Sequence, residues 1–406
     1  MVPREVIPSA DRLFMIYGRN IPKTPLHICL AHTRSRWLDL STTSTHARRI
    51  PWSPEFGRSD KQFTTVPDIV PSDSTYCMDK NALFDYAKAF HLLKSNPPEQ
   101  RLDVRMPYAI YMKLEKHWSN FKAEMDVREN QRYPRLAYNS LEQEVTVITA
   151  QSALHEVAAS ELKRNITDTF KEYFSIHKLE AREGIKDTAS TTMTSTRREY
   201  FRSSKDPDGS FSYDDDEDGP ILRVAIEAGF TENYRGLQRD KNMWIKGLGA
   251  KVVVLIFLQE SPRFKNPNSE YNDIDIEHID GELERMQRYM RDARRRNQER
   301  GIYGPIEYRN HTWFGNLKQA RIEVWRGDMQ EPVTSYLIKD GCTYDRLPTT
   351  FGLKISDFFT DRIWRSANIP DSDIYFEGEK FLRALTFGIY ETALIRCTNF
   401  ILPASV

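Results

Sequence analysis

The run Lys251-Val-Val-Val-Leu-Ile-Phe-Leu-Gln-Glu260 narrows what this chain can fold into more than any other feature. Val252 to Leu258 is unbroken apolar sequence. It is far shorter than the roughly 20 residues a membrane-spanning helix needs. It also lacks the polar face of an amphipathic helix, and it starts on three valines. That pattern reads as a strand buried on both faces, closed by Pro262, and such a strand requires other elements packed on each side of it. The residues before it supply candidates. Tyr234, Leu237, Lys241, Trp244 and Ile245 fall on helical spacing, with Thr231 as a possible cap and Gly247 and Gly249 as stops. Ile221 to Ala228 reads as a further strand. Before that, Lys205-Asp206-Pro207-Asp208-Gly209 is a turn leading into a short strand, and Asp214 to Asp218 with Gly219-Pro220 forms an acidic turn. The order is therefore strand, turn, strand, helix, buried strand.

Helices surround this unit. One is expected to start near Asp79, with Leu83, Phe84, Ala87, Phe90 and Leu93 as its apolar stripe, and to end at Asn96-Pro97-Pro98. Another follows Pro107. A long one covers about 151–177, one covers about 276–300, and a closing helix runs over about 376–402. Residues 320–326 alternate as an edge or half-buried strand would. Residues 1–74, rich in Pro, Ser, Thr and Arg, read as an irregular or partly disordered segment. The expected architecture is α/β: residues 75–406 form one domain with a mixed central sheet around 203–260 and additional N- and C-terminal helical elements.

Bulk properties exclude several classes. The 58 basic and 58 acidic residues cancel, so any hold on a polyanion must come from a local patch. The four cysteines, Cys29, Cys77, Cys342 and Cys397, form no CxxC pair, which removes zinc ribbons and suits a reducing compartment, cytoplasm or nucleus. Neither a secretory leader nor a membrane span is visible. There is no Gly-x4-Gly-Lys-Ser/Thr loop and no Gly-x-Ser-x-Gly elbow. The nine histidines show no metal-binding spacing, and His117, His155 and His177 read as packing or surface residues within helices.

Three residues carry a chemical hypothesis. Asp208 opens one strand, Glu227 ends the next, and Lys241 lies on the following helix, fourteen positions after Glu227. Two carboxylates on neighbouring strands supply hard oxygen ligands of the kind Mg²⁺ takes, and the backbone carbonyl of Ala228 could complete the set. A metal so held polarises a phosphodiester and activates water, and a lysine steadies the developing charge.

This segment resembles the PD-(D/E)XK nucleases, the restriction-endonuclease-like superfamily. Pro207-Asp208 matches its Pro-Asp, and Glu227 its second acidic residue. The simple signature has a lysine at position 229, where this chain has Gly229; Lys241 has the spacing of members whose lysine has moved to the next helix. Ile226 to Tyr234 with Leu237, Asp240 and Trp244, and Ala320 to Arg326, are similar to uncharacterised fungal proteins of that fold. The likeness covers about 203–326, within a nuclease-like core of about 186–330. It implies a restriction-endonuclease-like fold and a Mg²⁺- or Mn²⁺-dependent nuclease acting on DNA rather than RNA. In that reading Asp208, Glu227 and Ala228 hold the metal and Lys241 orients water.

The plainer readings stand beside it. Asp208 in Pro-Asp-Gly is ordinary turn chemistry. Lys241 could be a surface residue, and Glu227 could be paired with Arg223 or Lys251. The alternative to an enzyme is a catalytically inactive nuclease-fold module that binds nucleic acid or protein. The helix over 276–300, with arginines from Arg285 to Arg300, is the candidate phosphate-contacting face; otherwise it is a solvated polar helix.

Overall fold

The computed structural model describes residues 80–401 apart from 98, 125–133, 178–183, 189–190, 216–218, 231–233, 268–278, 328 and 368–369. The expectations for 1–74, for the caps Asp79 and Thr231, and for the acidic turn beyond Asp215 lie outside the described residues.

The first part of the described chain is a lobe of its own. Helix α1 (Lys80–Ser95) is followed by β1 (Arg101–Arg105), α2 (Tyr108–Glu124) and the hairpin β2 (Arg135–Asn139) and β3 (Glu144–Ile148). Helix α1 buries Ala89 and Leu93, whereas Leu83 and Phe84 are more than half exposed. Only the C-terminal half of the expected stripe therefore faces a core. Tyr111 and Tyr138 stack face to face with ring centres 4.6 Å apart, joining α2 to the hairpin.

Then come α3 (Ala153–His177), β4 (Ile185–Asp187), β5 (Met193–Thr194), β6 (Ser204–Lys205), β7 (Gly209–Asp215) and β8 (Gly219–Gly229). Helix α4 (Tyr234–Asn242) runs on into a wider turn at Met243–Leu248, closed by Gly249 in the left-handed region (φ +82°). After it come β9 (Val252–Ser261), α5 (Ile279–Glu299), β10 (Ile306–Tyr308), β11 (His311–Phe314) and β12 (Asn316–Arg326). The chain continues through β13 (Val333–Lys339), β14 (Cys342–Thr343), β15 (Thr350–Lys354), α6 (Asp361–Ala367), β16 (Asp373–Tyr375) and α7 (Gly378–Ile401).

Two larger sheets result, where the sequence suggested one. The smaller has the order β1-β3-β2-β6-β5 and the larger β14-β13-β12-β9-β8-β7-β4. In the larger sheet β4, β7 and β8 are successively antiparallel, and β8 pairs parallel with β9 across the α4 crossover. Strand β9 sits between β8 and β12 and buries residues on both faces, as its composition requires. One face, with Val224, Ile226, Val252, Val254 and Ile256, packs in a common core with α3, α5 and α7. The other face, with Ala225, Val253 and Leu255, receives Leu237 and Trp244. Strand β12 is paired on both sides, which removes the edge alternative and leaves the half-buried one for residues 320–326. The architecture is mixed α/β.

Candidate functional site

Asp208 and Glu227 reach the same buried region by different routes. The Asp208 main-chain N–H donates to the Ile226 carbonyl (3.1 Å), so the turn before β7 is anchored beside the C-terminal end of β8. Asp208 is 8% exposed and Glu227 4% exposed. A buried carboxylate is costly unless something answers its charge, and here each has partners.

Arg135 Nη2 donates to Asp208 Oδ1 at 2.8 Å, and its Nη1 donates to the carbonyls of Asp206 and Pro207. Oδ2 of Asp208 accepts the Ala228 main-chain N–H at 2.8 Å and lies 2.9 Å from His155 Nε2. On Glu227, Oε1 accepts the Trp244 indole N–H at 2.5 Å, and Oε2 lies 3.6 Å from Lys205 Nζ. Lys205, itself 2% exposed, sits closer to Asp240, at 2.9 Å.

The network extends towards solvent. Arg101 Nη1 reaches Asp240 at 2.9 Å, and Arg101 and Arg239 both pair with Asp103, at 3.0 and 2.6 Å. Arg239 also pairs with Glu144 at 2.5 Å. These bonds tie the small sheet to α4 and the large sheet. Of the carboxylates named, Glu227 has the longest distance to a cation. Burial, reinforced by Asp208 and Asp240, outweighs Lys205 and Arg135 and pushes its carboxyl up to about 8. Burial would also raise Asp240, but Arg101 and Lys205 overcome it and hold that carboxyl down at about 2.

Lys241 does not join this group. Its ammonium lies 3.9 Å from the centre of the Trp325 ring, and burial, then Lys246, lowers its pKa. The reason is helical geometry. Leu237, Asp240 and Trp244, at i, i+3 and i+7, are buried on the face of α4 and its following turn that meets the sheet. Lys241 is one residue beyond Asp240, about 100° round the helix from it. The missing lysine at position 229 also has a structural cause. A Cβ on Gly229 would lie 2.5 Å from Leu237 Cδ1.

The centre thus brings together two of the expected residues and adds Arg135, His155, Lys205 and Asp240. Lys205 stands three positions before Asp208, and Asp240 shares the spacing of two core residues; both signals are present in the sequence. Arg135 carries none, because only tertiary folding brings β2 against the turn. His155, expected as a packing residue, faces Asp208. Glu227 pairs with neither Arg223 nor Lys251: Lys251 reaches Asp361 at 3.2 Å.

These residues do not fit a divalent metal. Both oxygens of Asp208 and one of Glu227 already accept N–H donors, and the other oxygen of Glu227 faces an ammonium. Among the described residues, no group of three or more His, Cys, Asp or Glu is placed to hold a metal ion. Beside the centre runs a cleft lined by Arg101, Phe230, Tyr234, Phe257, Arg263 and Phe264, floored by Arg396, which pairs with Glu99 and Glu260. His155, with Arg101, lines an adjoining hollow.

Among the described residues no helix is long and apolar enough to cross a membrane. Comparison with protein-family models, with curated proteins and with solved structures finds no match to this chain.

Proposed function

We propose that this chain is a non-catalytic nuclease-fold module that binds DNA through the arginine face of α5. Support for the fold comes from the order β4-β7-β8-β9 with α3 before it and α4 between β8 and β9, and from Asp208 and Glu227 at adjoining strand ends. The part from β7 through β8 and α4 to β9 is the strand, turn, strand, helix, strand order on which the resemblance to restriction-endonuclease-like proteins rests. The observation that carries the non-catalytic reading is the capping of both carboxylates by Arg135, Lys205, Trp244 and the Ala228 N–H. A catalytic centre needs open ligand positions for metal and water, and this one spends its oxygens on its own chain.

The DNA reading rests on α5. Arg288, Arg291, Arg295 and Arg296 are exposed along it. Arg294 lies over the rings of Tyr390 and Phe387, 5.4 and 5.8 Å from their centres, and Arg296 lies over Tyr289. Acidic Asp280 and Glu282 sit in the first turn, so positive charge gathers towards the C-terminal half. A short basic stripe on a chain with no net charge is what local phosphate contact requires.

The test is fluorescence anisotropy with labelled duplex DNA over a range of salt, comparing wild type with Arg291→Glu/Arg295→Glu. The expected result is weaker binding and a shallower salt dependence in the variant. Equal affinities and slopes would remove α5 as the contact face, and preference for an RNA of the same sequence would redirect the partner. Plasmid incubated with Mg²⁺ should stay intact. Cleavage that Glu227→Gln abolishes would overturn the non-catalytic reading.

A further inference from the structure

We propose that the arginine face of α5 takes an unpaired DNA strand rather than a duplex, with Tyr289 and Phe387 as platforms on which its bases stack. The inference rests on the reading of α5 given above and narrows its partner.

Helical phase places the parts. Arg288, Arg291 and Arg295 fall at i, i+3 and i+7 and share one exposed line of α5. At about 100° per residue, Arg294 lies to one side of that line and Tyr289 with Arg296 to the other. Arg294 faces α7, where it stands over the rings of Phe387 and Tyr390. From Arg288 to Arg300 six arginines stand against Asp292 and Glu299, and Arg295 meets Glu299 no closer than 3.9 Å. On α7, exposed Arg383 precedes Phe387 by four residues and so lies on the same face one turn away. Its contact with Glu379 is a surface pair.

Both rings are open to solvent, Tyr289 at 47% and Phe387 at 44% exposure. Tyr308 lies against Tyr289, ring centres 5.6 Å apart, and Arg296 stands 5.9 Å from the Tyr289 ring. The arginine line is therefore flanked on each side by an exposed ring that carries its own guanidinium. A duplex holds its base faces inside the stack and would use the arginines alone. An unpaired strand offers phosphates and base faces together, so the arginines can take the first and the rings the second. Stacking of this kind accepts every base, because each has a π-face. The two rings decide between the forms of DNA.

The experiment is fluorescence anisotropy with a labelled single-stranded oligodeoxynucleotide and with the duplex of the same sequence. Wild type is compared with Tyr289→Ala, Phe387→Ala, Phe387→Trp and Arg291→Glu/Arg295→Glu. Both rings are exposed, so the ring variants should melt close to wild type. Wild type is expected to bind the strand more tightly than the duplex. Each alanine variant should lose about fivefold or more in affinity for the strand. The salt slope should stay as it was, because a ring carries no charge, and Phe387→Trp should keep the affinity. A 2-aminopurine in the strand should dim on binding wild type and dim less with the alanine variants, a change that a merely structural role of the rings would not produce. Alanine variants that bind the strand like wild type overturn the inference. So do variants that weaken strand and duplex alike, and a wild type that prefers the duplex. In each of these cases, weaker duplex binding by Arg291→Glu/Arg295→Glu leaves the α5 reading standing. Wild-type affinity of that variant for both forms would remove α5 as the contact face, and the inference with it.

Discussion

Arg135 and Asp208 face each other across the junction of two sheets, guanidinium to carboxylate at 2.8 Å, with side chains 4% and 1% exposed. The arginine belongs to the N-terminal lobe and the aspartate to the turn entering β7. One ion pair therefore helps decide how the lobe meets the larger sheet. Breaking a buried pair from one side strands the other charge. Arg135→Met is expected to cost about 3–5 kcal/mol by that rule, read as a fall in the urea midpoint. Arg135→Met/Asp208→Asn should recover part of the loss. A single variant as stable as wild type would mean that water already answers this charge.

Glu227 should give the protein an alkaline weakness. Its folded carboxyl titrates at about 8 against the usual 4.5, so the unfolded chain releases the proton first as pH rises. Its stabilising contribution is complete below pH 4.5 and is lost as pH climbs through about 8. Asp240 works in the opposite sense. With its folded value near 2 against 3.8, its contribution is present above pH 3.8 and is lost as pH falls through about 2. Melting temperatures between about pH 5 and about pH 9 should decline more steeply for wild type than for Glu227→Gln. Parallel curves would show that Glu227 titrates normally.

Position 229 should not accept the lysine that the simple nuclease signature carries. A Cβ there would meet Leu237 Cδ1 at 2.5 Å and Cγ at 2.8 Å. Gly229→Ala is expected to destabilise by about 1–3 kcal/mol through overpacking, and Gly229→Lys by more. Leu237→Ala on the Gly229→Ala background should relieve some of that clash, measurable as non-additive unfolding free energies. Strict additivity would place the cost elsewhere.

Lys241 should matter little. Its ammonium over the Trp325 ring is a partly exposed cation–π contact. Contacts of this kind contribute on the order of 0.5–1 kcal/mol. Lys241→Ala is therefore expected to lower stability by no more than about 1 kcal/mol and to leave the pH profile of Glu227 unmoved. A large shift of that profile would place Lys241 in the carboxylate centre after all.

Much of the local structure was legible in advance because it is written in periodicity. The unbroken apolar run predicts β9, and α4 follows from the spacing of Tyr234, Leu237 and Trp244. Helices α3, α5 and α7 fall within the spans expected for them, 151–177, 276–300 and 376–402. The lobe around β1, β2 and β3 was not legible. Its strands are five residues each, with Arg101 and Arg105 at the ends of β1, Arg135 and Asn139 at the ends of β2 and Glu144 opening β3. Such strands acquire their meaning only from the neighbours they pair with.

The sequence by itself determined that Asp208 opens one strand and Glu227 closes the next, and the register of β7 on β8 then sets them side by side. The helical spacing of α4 suggested that Lys241 shares the stripe of Leu237 and Trp244, and the structure corrects this by burying Asp240 and laying Lys241 over Trp325. Only the tertiary structure decided what the carboxylates do. It brings Arg135 from β2 and His155 from α3 within 3 Å of Asp208, and it sets Lys205 from β6 beside Glu227 and Asp240. Charge burial is the physical reason. Carboxylates closed off from water must be answered by whatever cation the fold delivers, and here the fold delivers arginine and lysine from its own chain.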